Sequence, residues 1–477
     1  MQRERVNLLM IMADQHRGDC LGCDGHAAVQ TPNLDALARQ GVRFRHAYSA
    51  TPTCTPARAA LLTGLSPWRH GMLGYGRQAE RYPFTKPQAL RDAGYFTMAI
   101  GRNHYNPLRN THGYEQVLLD ESGLMEQPQF RSDYRSWFAM QMPHRNPDET
   151  GILWNDYRGG PYKLPERLHP TTWTGDVAVN FLREHDEARP FFLKVSFARP
   201  HSPYDPPERL WKRYEDAPIP ARAEAPWSER NRPRNNNSFE IWRGDLGAEQ
   251  ARQSRRGYYG VVTQVDEQIG RIVETLEKRR MLERTVILYF SDHGDMTGDH
   301  HLWRKSYAYE PSARIPMILR WPDGLIAARR GMVNDTPVEL RDVLPTLLDA
   351  AGSGTQRELD GMSLLRVATG KARREFIDLE HDVCYDRSNH WNALTDGKWK
   401  YIYHARDGEE QLFHLAVDPL ERKDLAGEAG HEATLRLWRG RMLEHLAERG
   451  EPFVKGGRLA VRPDPFLYSP HFPGLKV

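Results

Sequence analysis

A strand-length apolar run ending in polar or ionisable residues recurs along the first three quarters of this 477-residue chain. The runs fall at residues 6–12, 95–100, 191–197, 285–290 and 315–319, among helical patterns at 33–40, 172–185, 261–279 and 340–351. Parallel neighbours need a crossover long enough to hold a helix, so this alternation predicts an α/β fold. The expected architecture is a large, mostly parallel sheet flanked by helices on both faces. Pro32 at the opening of the first helix and Gly41 just past its end are the usual start and stop signals.

The pattern changes near residue 370. Beyond it, 399–404 and 411–415 read as antiparallel strands and 433–449 as a helix, which predicts a smaller α+β C-terminal domain over 371–477 after a catalytic domain over 1–370. Residues 125–170 and 205–250 are rich in Pro, Arg, Asn, Trp and Tyr with little periodicity, and read as surface insertions of the kind that shape pockets. Tyr134, Trp137, Trp154, Tyr157, Trp227 and Trp242 either form a sugar- or aryl-binding wall or act as packing anchors, the commoner outcome. His381, His390 and Trp391 of the C-terminal part are further residues within reach of such a pocket.

With 66 basic against 63 acidic side chains, net charge gives no general argument for nucleic acid or membrane binding, so attraction for an anionic substrate must be local. The first apolar run is too short to span a bilayer, and no small-residue cleavage site follows it. Four cysteines in so long a chain make a disulfide framework improbable and fit a reducing compartment. The expectation is a cytoplasmic protein, or a periplasmic one if a leader was removed. Cys20 and Cys23 form a C-x-x-C pair, but no second pair accompanies it.

The tails of the strands carry the chemistry. The first run leads into Asp14-Gln15, the second into Arg102-Asn103-His104, the third into Arg199-Pro200-His201, and the fourth into Asp292-His293-Gly294. In an open parallel sheet, ligands bind outside the carboxyl ends of the strands. One polar tail would say little; four, each with Asp or His, predict a shared site. Asp14, Asp292 and His293 offer two carboxylates and an imidazole to one divalent ion, with Gln15 adding an amide oxygen. An oxygen-dominated set favours Ca²⁺ or Mg²⁺, and the imidazole leaves Mn²⁺ open. Alone, Asp292-His293-Gly294 reads equally as a strand-ending turn with a capping Asp.

The strongest local signal is Cys54-Thr55-Pro56-Ala57-Arg58, continuing to Leu61-Leu62-Thr63-Gly64. Thr55 as cap, Pro56 at the first helical position and Gly64 as terminator would place Cys54 just ahead of a helix N-terminus, where an anion is favoured. Arg58 lies one turn in. A lone cysteine there is usually a buried apolar residue. Cys-x-Pro-x-Arg followed by Leu-Leu-Thr-Gly, however, resembles the signature of the type I sulfatases of the alkaline phosphatase superfamily. The resemblance extends over nearly the whole chain, through Gly94-Tyr95 to His104, Pro200-His201-x-Pro203, Ser291-Asp292-His293-Gly294 with Lys305, and Asp360-Gly361-x-Ser363-Leu364. It makes Cys23 a family feature rather than a redox thiol. Two departures stand out: Gln15 replaces a common second Asp, and Arg102 replaces a usual Lys, which leaves that position unable to give up a proton. The pairs Asp14-Gln15 and Asp292-His293 resemble the branch that holds choline sulfatases and phosphonate monoester hydrolases.

The resemblance implies an alkaline phosphatase-like fold, one divalent metal, Ca²⁺ foremost, held by Asp14, Gln15, Cys54, Asp292 and His293, and oxidation of Cys54 to formylglycine by a formylglycine-generating enzyme. The hydrated aldehyde would attack a small anionic ester or sulfated carbohydrate. Arg58, Arg102 and Lys305 would surround the developing charge, His201 or Lys305 would protonate the leaving alcohol, and His104 would help expel sulfate. The implied activity is hydrolysis of aryl, alkyl or carbohydrate sulfate esters. A phosphonate monoester or phosphodiester hydrolase using the same site is the alternative, and a non-catalytic binding protein on a decayed scaffold is a third reading.

Overall fold

The computed structural model describes residues 5–123, 130–186, 188–355 and 357–474. The first four residues and the opening of the 125–170 insertion, at 125–129, lie outside the described residues.

An eight-stranded sheet forms the centre. In chain order its strands are β1 (Asn7–Asp14), β2 (Gly41–Phe44), β3 (Phe96–Gly101), β4 (Gln116–Leu119), β5 (Phe191–Pro200), β6 (Thr285–Ser291), β7 (Met317–Arg320) and β8 (Met332–Asn334). They lie side by side as β4-β3-β5-β1-β6-β7-β2-β8. Strands β4, β3, β5, β1 and β6 run parallel. Only β7 opposes its neighbours, β6 and β2. The expected mostly parallel sheet is therefore present. All five sequence-predicted strands are in it, each within three residues of its expected ends.

The apolar runs are continuous because both faces of the sheet are covered. On β1, Leu8, Met10 and Met12 point to one face and join the helix Cys54–Thr63 and the helix Val343–Ala350. Leu9, Ile11 and Ala13 point to the other and join the helices Pro32–Arg39, Pro170–Glu184 and Ala248–Lys278. Ala248–Lys278 begins thirteen residues before the sequence pattern suggested. Its first half is polar, but Arg255 and Arg256 are buried there, Arg255 pairing with Asp299 and Arg256 donating to the Trp211 carbonyl. No described helix is long and apolar enough to cross a membrane.

After residue 370 a separate antiparallel sheet follows, in the order Ile377–His381, Trp391–Thr395, Trp399–His404 and Glu409–His414, backed by the helix Glu432–Leu446. This sheet thus has four strands where the sequence suggested two, and a two-residue hairpin, Val454–Lys455 with Arg458–Leu459, follows the helix. The chain then returns to the catalytic part, where Tyr468 bridges Met72. A buried cluster of Lys400 with Glu310 and Glu421 ties the two sheets together.

Lys86 is a local cost in this core. Its ammonium is buried beside the Met10 sulfur at 3.1 Å and 5.9 Å from the Phe192 ring, and burial lowers its pKa to about 7. Because the folded pKa lies below the unfolded one, the penalty is present at and below neutral pH and disappears as pH climbs toward the unfolded value. Lys86→Met should stabilise the fold by about 1–3 kcal/mol at pH ~6.5, shrinking toward zero by pH ~10. Chemical denaturation of both proteins across that range checks it; a gain independent of pH would contradict it.

Candidate active site

The tails of β1, β3, β5 and β6 converge as expected. Asp14 ends β1, Arg102 to His104 follow β3, His201 follows β5, and Asp292 and His293 follow β6. Facing them is the first turn of the helix Cys54–Thr63, which begins at Cys54 itself with Thr53, not Thr55, as its cap. Gly64 ends it in the left-handed conformation that glycine adopts freely (φ 70°). Cys54 and Arg58 stand one turn apart on the same face of this helix, so one element presents both groups.

Among the described residues, Asp14, Cys54, Asp292 and His293 place one ligand atom each within 4.8 Å of one another, all buried. The Cys54 sulfur is 3.2 Å from His293 Nε2 and 4.0 Å from Asp14 Oδ1. His293 Nδ1–H donates to the Gly294 carbonyl at 2.9 Å, which leaves the Nε2 lone pair facing the cluster. Two hard carboxylate oxygens, an imidazole nitrogen and residue 54 converging on one point fit a divalent cation.

Two buried carboxylates repel unless cations hold them. Arg58 Nη2 lies 3.0 Å from both Asp14 Oδ2 and Asp292 Oδ2, and Arg102 Nε lies 3.0 Å from Asp14 Oδ2. Burial and Asp292 push the Asp14 carboxyl up, but Arg102 and Arg58 outweigh them and hold it below the usual range. Burial likewise opposes ionisation of Asp292, and His293, Arg58 and Lys305 overcome it. Burial first, then Asp14, pushes the Cys54 thiol up to about 11. An unmodified Cys54 is therefore a protonated thiol at neutral pH and a weak nucleophile.

The remaining expected residues surround this cluster. Lys305 Nζ donates to Gln15 Oε1 at 2.8 Å, while Gln15 Nε2 donates to Asp295 at 2.5 Å. The Gln15 amide oxygen thus faces Lys305, and a cation would have to share it. His104 Nδ1 sits 3.2 Å from Arg102 Nη2, and burial with Arg102 and Arg58 holds the ring neutral. His201 is neutral for the same kind of reason, burial first and then Lys305. Its Nδ1–H donates to the Ser202 carbonyl at 2.9 Å.

Several contributors escaped the sequence reading. Glu121 accepts from the backbone N–H groups of Asn103 and His104 at 2.8 and 2.9 Å, clamping the Arg102–His104 turn, where His104 has φ 56°. Lys194 donates to Asn103 Oδ1 at 2.7 Å from beneath. Asp295 receives Gln15 Nε2 and the Tyr204 hydroxyl. Cys384, from the C-terminal part, approaches Thr53 Oγ1 at 3.8 Å. Of the aromatic residues, Trp227 packs on His300 and Tyr309 as an anchor, whereas Trp154 stacks on His201.

Comparison with known proteins places this arrangement. A sulfatase family model matches residues 6–353, and a model of the N-sulphoglucosamine sulphohydrolase C-terminal region matches 298–448. An arylsulfatase of Clostridium perfringens is 36% identical over 471 residues, spanning 95% of this chain and 97% of that protein. A choline-sulfatase of Rhizobium meliloti is 34% identical, spanning 88% and 82%. The crystal structure of a phosphonate monoester hydrolase of Agrobacterium radiobacter superposes with a TM-score of 0.78 at 26% identity, covering 96% of this chain and all of that one. With the model matching most of the catalytic part and the converging strand tails inside the matched span, the chain belongs to the sulfatase family.

Proposed function

We propose that this protein hydrolyses sulfate esters at the cluster of Asp14, Cys54, Asp292 and His293, with Cys54 converted to formylglycine. The single observation that carries the reading is the convergence of these four residues, clamped by Arg58, within one buried pocket. Relatives named as an arylsulfatase and a choline-sulfatase support the same chemistry.

A divalent cation, which we take to be Ca²⁺, would be held by Asp14, Asp292, His293 and residue 54, and would supply Lewis acidity toward the sulfate oxygens. The formylglycine would supply a hydrated aldehyde as nucleophile. The chain's own groups do the rest. Arg58 and Arg102 fix the two carboxylates and present permanent positive charge to the sulfate oxygens. Lys305, oriented by Gln15, is the acid for the leaving alcohol, because burial and Lys305 itself keep His201 neutral. His201, its ring held by the Ser202 carbonyl, lines the pocket on the leaving-group side beside Lys305. Neutral His104, clamped through its backbone by Glu121, takes the proton that releases sulfate. Maturation requires a formylglycine-generating enzyme as partner, and a cytoplasmic location fits the free cysteines.

A phosphonate monoester hydrolase is the second reading, favoured by the superposition on that structure. Rates on an aryl sulfate and an aryl phosphonate, measured side by side, decide between them: faster sulfate cleavage is expected, and faster phosphonate cleavage would reverse the assignment. Cys54→Ala should lower kcat on the aryl sulfate by about 10³-fold or more while the fold is kept. Circular dichroism and initial rates check this, and near-wild-type turnover would reject Cys54 as the nucleophile's source. Dialysis against EDTA should abolish turnover and lower the melting temperature, because Asp14 and Asp292 then face each other with two positive charges fewer, and Ca²⁺ should restore both. Undiminished activity in protein shown by elemental analysis to lack metal would contradict the metal's role.

A further inference from the structure

Beside the helix Cys54–Thr63 the chain runs through a narrow gap as Gly74-Tyr75-Gly76. A Cβ at Gly74 would stand 2.4 Å from the Val383 carbonyl oxygen, and one at Gly76 would stand 2.8 Å from the Tyr468 hydroxyl. The backbone is pinned on both sides. Leu73 N–H donates to the Leu467 carbonyl at 3.0 Å, Tyr75 N–H to the Val383 carbonyl at 2.6 Å, and Gly76 N–H to Thr55 Oγ1 at 3.2 Å. The helix that carries Cys54, the loop beside Cys384 and the C-terminal tail thus meet here and leave room for one side chain. That side chain is Tyr75, and its ring stays 40% exposed.

The ring meets His104 edge-on, with centres 5.9 Å apart, and its hydroxyl lies 3.5 Å from His104 Nε2. The direction of that contact follows from the other ring nitrogen. Arg102 Nη2 stands 3.2 Å from His104 Nδ1, and a guanidinium can only donate. Nδ1 is therefore the acceptor, and the neutral ring carries its proton on Nε2, pointing at the Tyr75 oxygen. The phenol's own proton is left without an acceptor, because among the described residues its hydroxyl has no other hydrogen-bond partner. Partial burial and then Cys54 push the phenol up to about 12, so that proton stays in place at neutral pH. A neutral donor without an acceptor, beside a pocket built from Arg58, Arg102 and Lys305, suits an anion. Tyr75 adjoins His104 and through it Arg102, whereas Lys305 and His201 stand on the leaving-group side. The hydroxyl therefore serves the sulfate oxygens rather than the alcohol.

We propose that Tyr75 is a further catalytic residue, whose phenolic O–H is donated to a sulfate oxygen of the bound ester. The inference rests on the reading of the site as a sulfate ester hydrolase. Tyr75→Phe tests it in the mature, metal-loaded enzyme, because it keeps the ring against His104 and removes only the donor. On 4-nitrophenyl sulfate its kcat/KM should fall about 10- to 100-fold, as expected for one hydrogen bond to an anion. Its affinity for inorganic sulfate, read by titration calorimetry, should fall about tenfold. A rate within about twofold of wild type, or a lost rate with unchanged sulfate affinity, would overturn the proposal. Nitrogen-15 NMR of the histidine rings in wild type, with His104 assigned through His104→Gln, needs neither turnover nor a folded Tyr75 variant. Protonation of His104 on Nε2 is expected. Protonation on Nδ1 would make the phenol the donor to the ring and overturn the proposal. Wild type that cleaves no sulfate ester, while its sulfate affinity still depends on Tyr75, would instead sink the functional reading.

Discussion

The ion bridge from Arg58 to Asp14 and Asp292 is the interaction on which the site depends. The two carboxylates come from strands far apart in sequence, β1 and β6, made neighbours only by their parallel pairing. Side by side and out of water they would repel, and burial would favour their protonated forms. Arg58 meets both with one guanidinium, its Nη2 lying against the two carboxylates while its Nε donates to Asp292 as well. Because Arg58 and Cys54 share one face of one helix, the clamp on the Asp14 and Asp292 carboxylates also sets the position of residue 54. Packing of that helix through Ala57, Ala60 and Leu61 against the sheet transmits the register of β1 to residue 54.

Around this bridge the chain builds a layered support. Gln15 is fixed at both ends of its amide, by Asp295 and Lys305, and Lys305 is thereby aimed. The Arg102–His104 turn is held by Glu121 at its backbone and by Lys194 at Asn103. These second contacts carry charge into places where burial makes it costly. Burial raises the pKa of Glu121 and lowers that of Lys194, and their hydrogen bonds to the 103–104 backbone and to Asn103 offset only part of that cost.

Much of this was legible in the sequence because long strands buried on both faces read as continuous apolar runs, and the residue after each run lands at the same sheet edge. That rule brought Asp14, His104, His201, Asp292 and His293 together before any coordinates. It failed where the strand was short. Gln116–Leu119 has only four residues, one of them buried, so Glu121 two residues beyond it passed unnoticed although it follows the same logic. Lys194 was hidden for the opposite reason, as a charged residue inside an apolar strand. Asp295 and Asp299 lie in a polar stretch without periodicity, yet both are buried and orient Gln15, Arg17 and Arg255. The meeting of Trp154, Gly123 and His201 depends on an insertion folding back over a strand tail, for which no local pattern exists.

The proposed chemistry requires a single cation shared by the tails of strands β1 and β6 and by residue 54. Crystals of the active protein grown with Mn²⁺ and measured for anomalous scattering test that directly. The expected result is one strong peak bounded by Asp14, residue 54, Asp292 and His293. A peak elsewhere, or an empty cluster in crystals whose protein turns over sulfate esters, would contradict it.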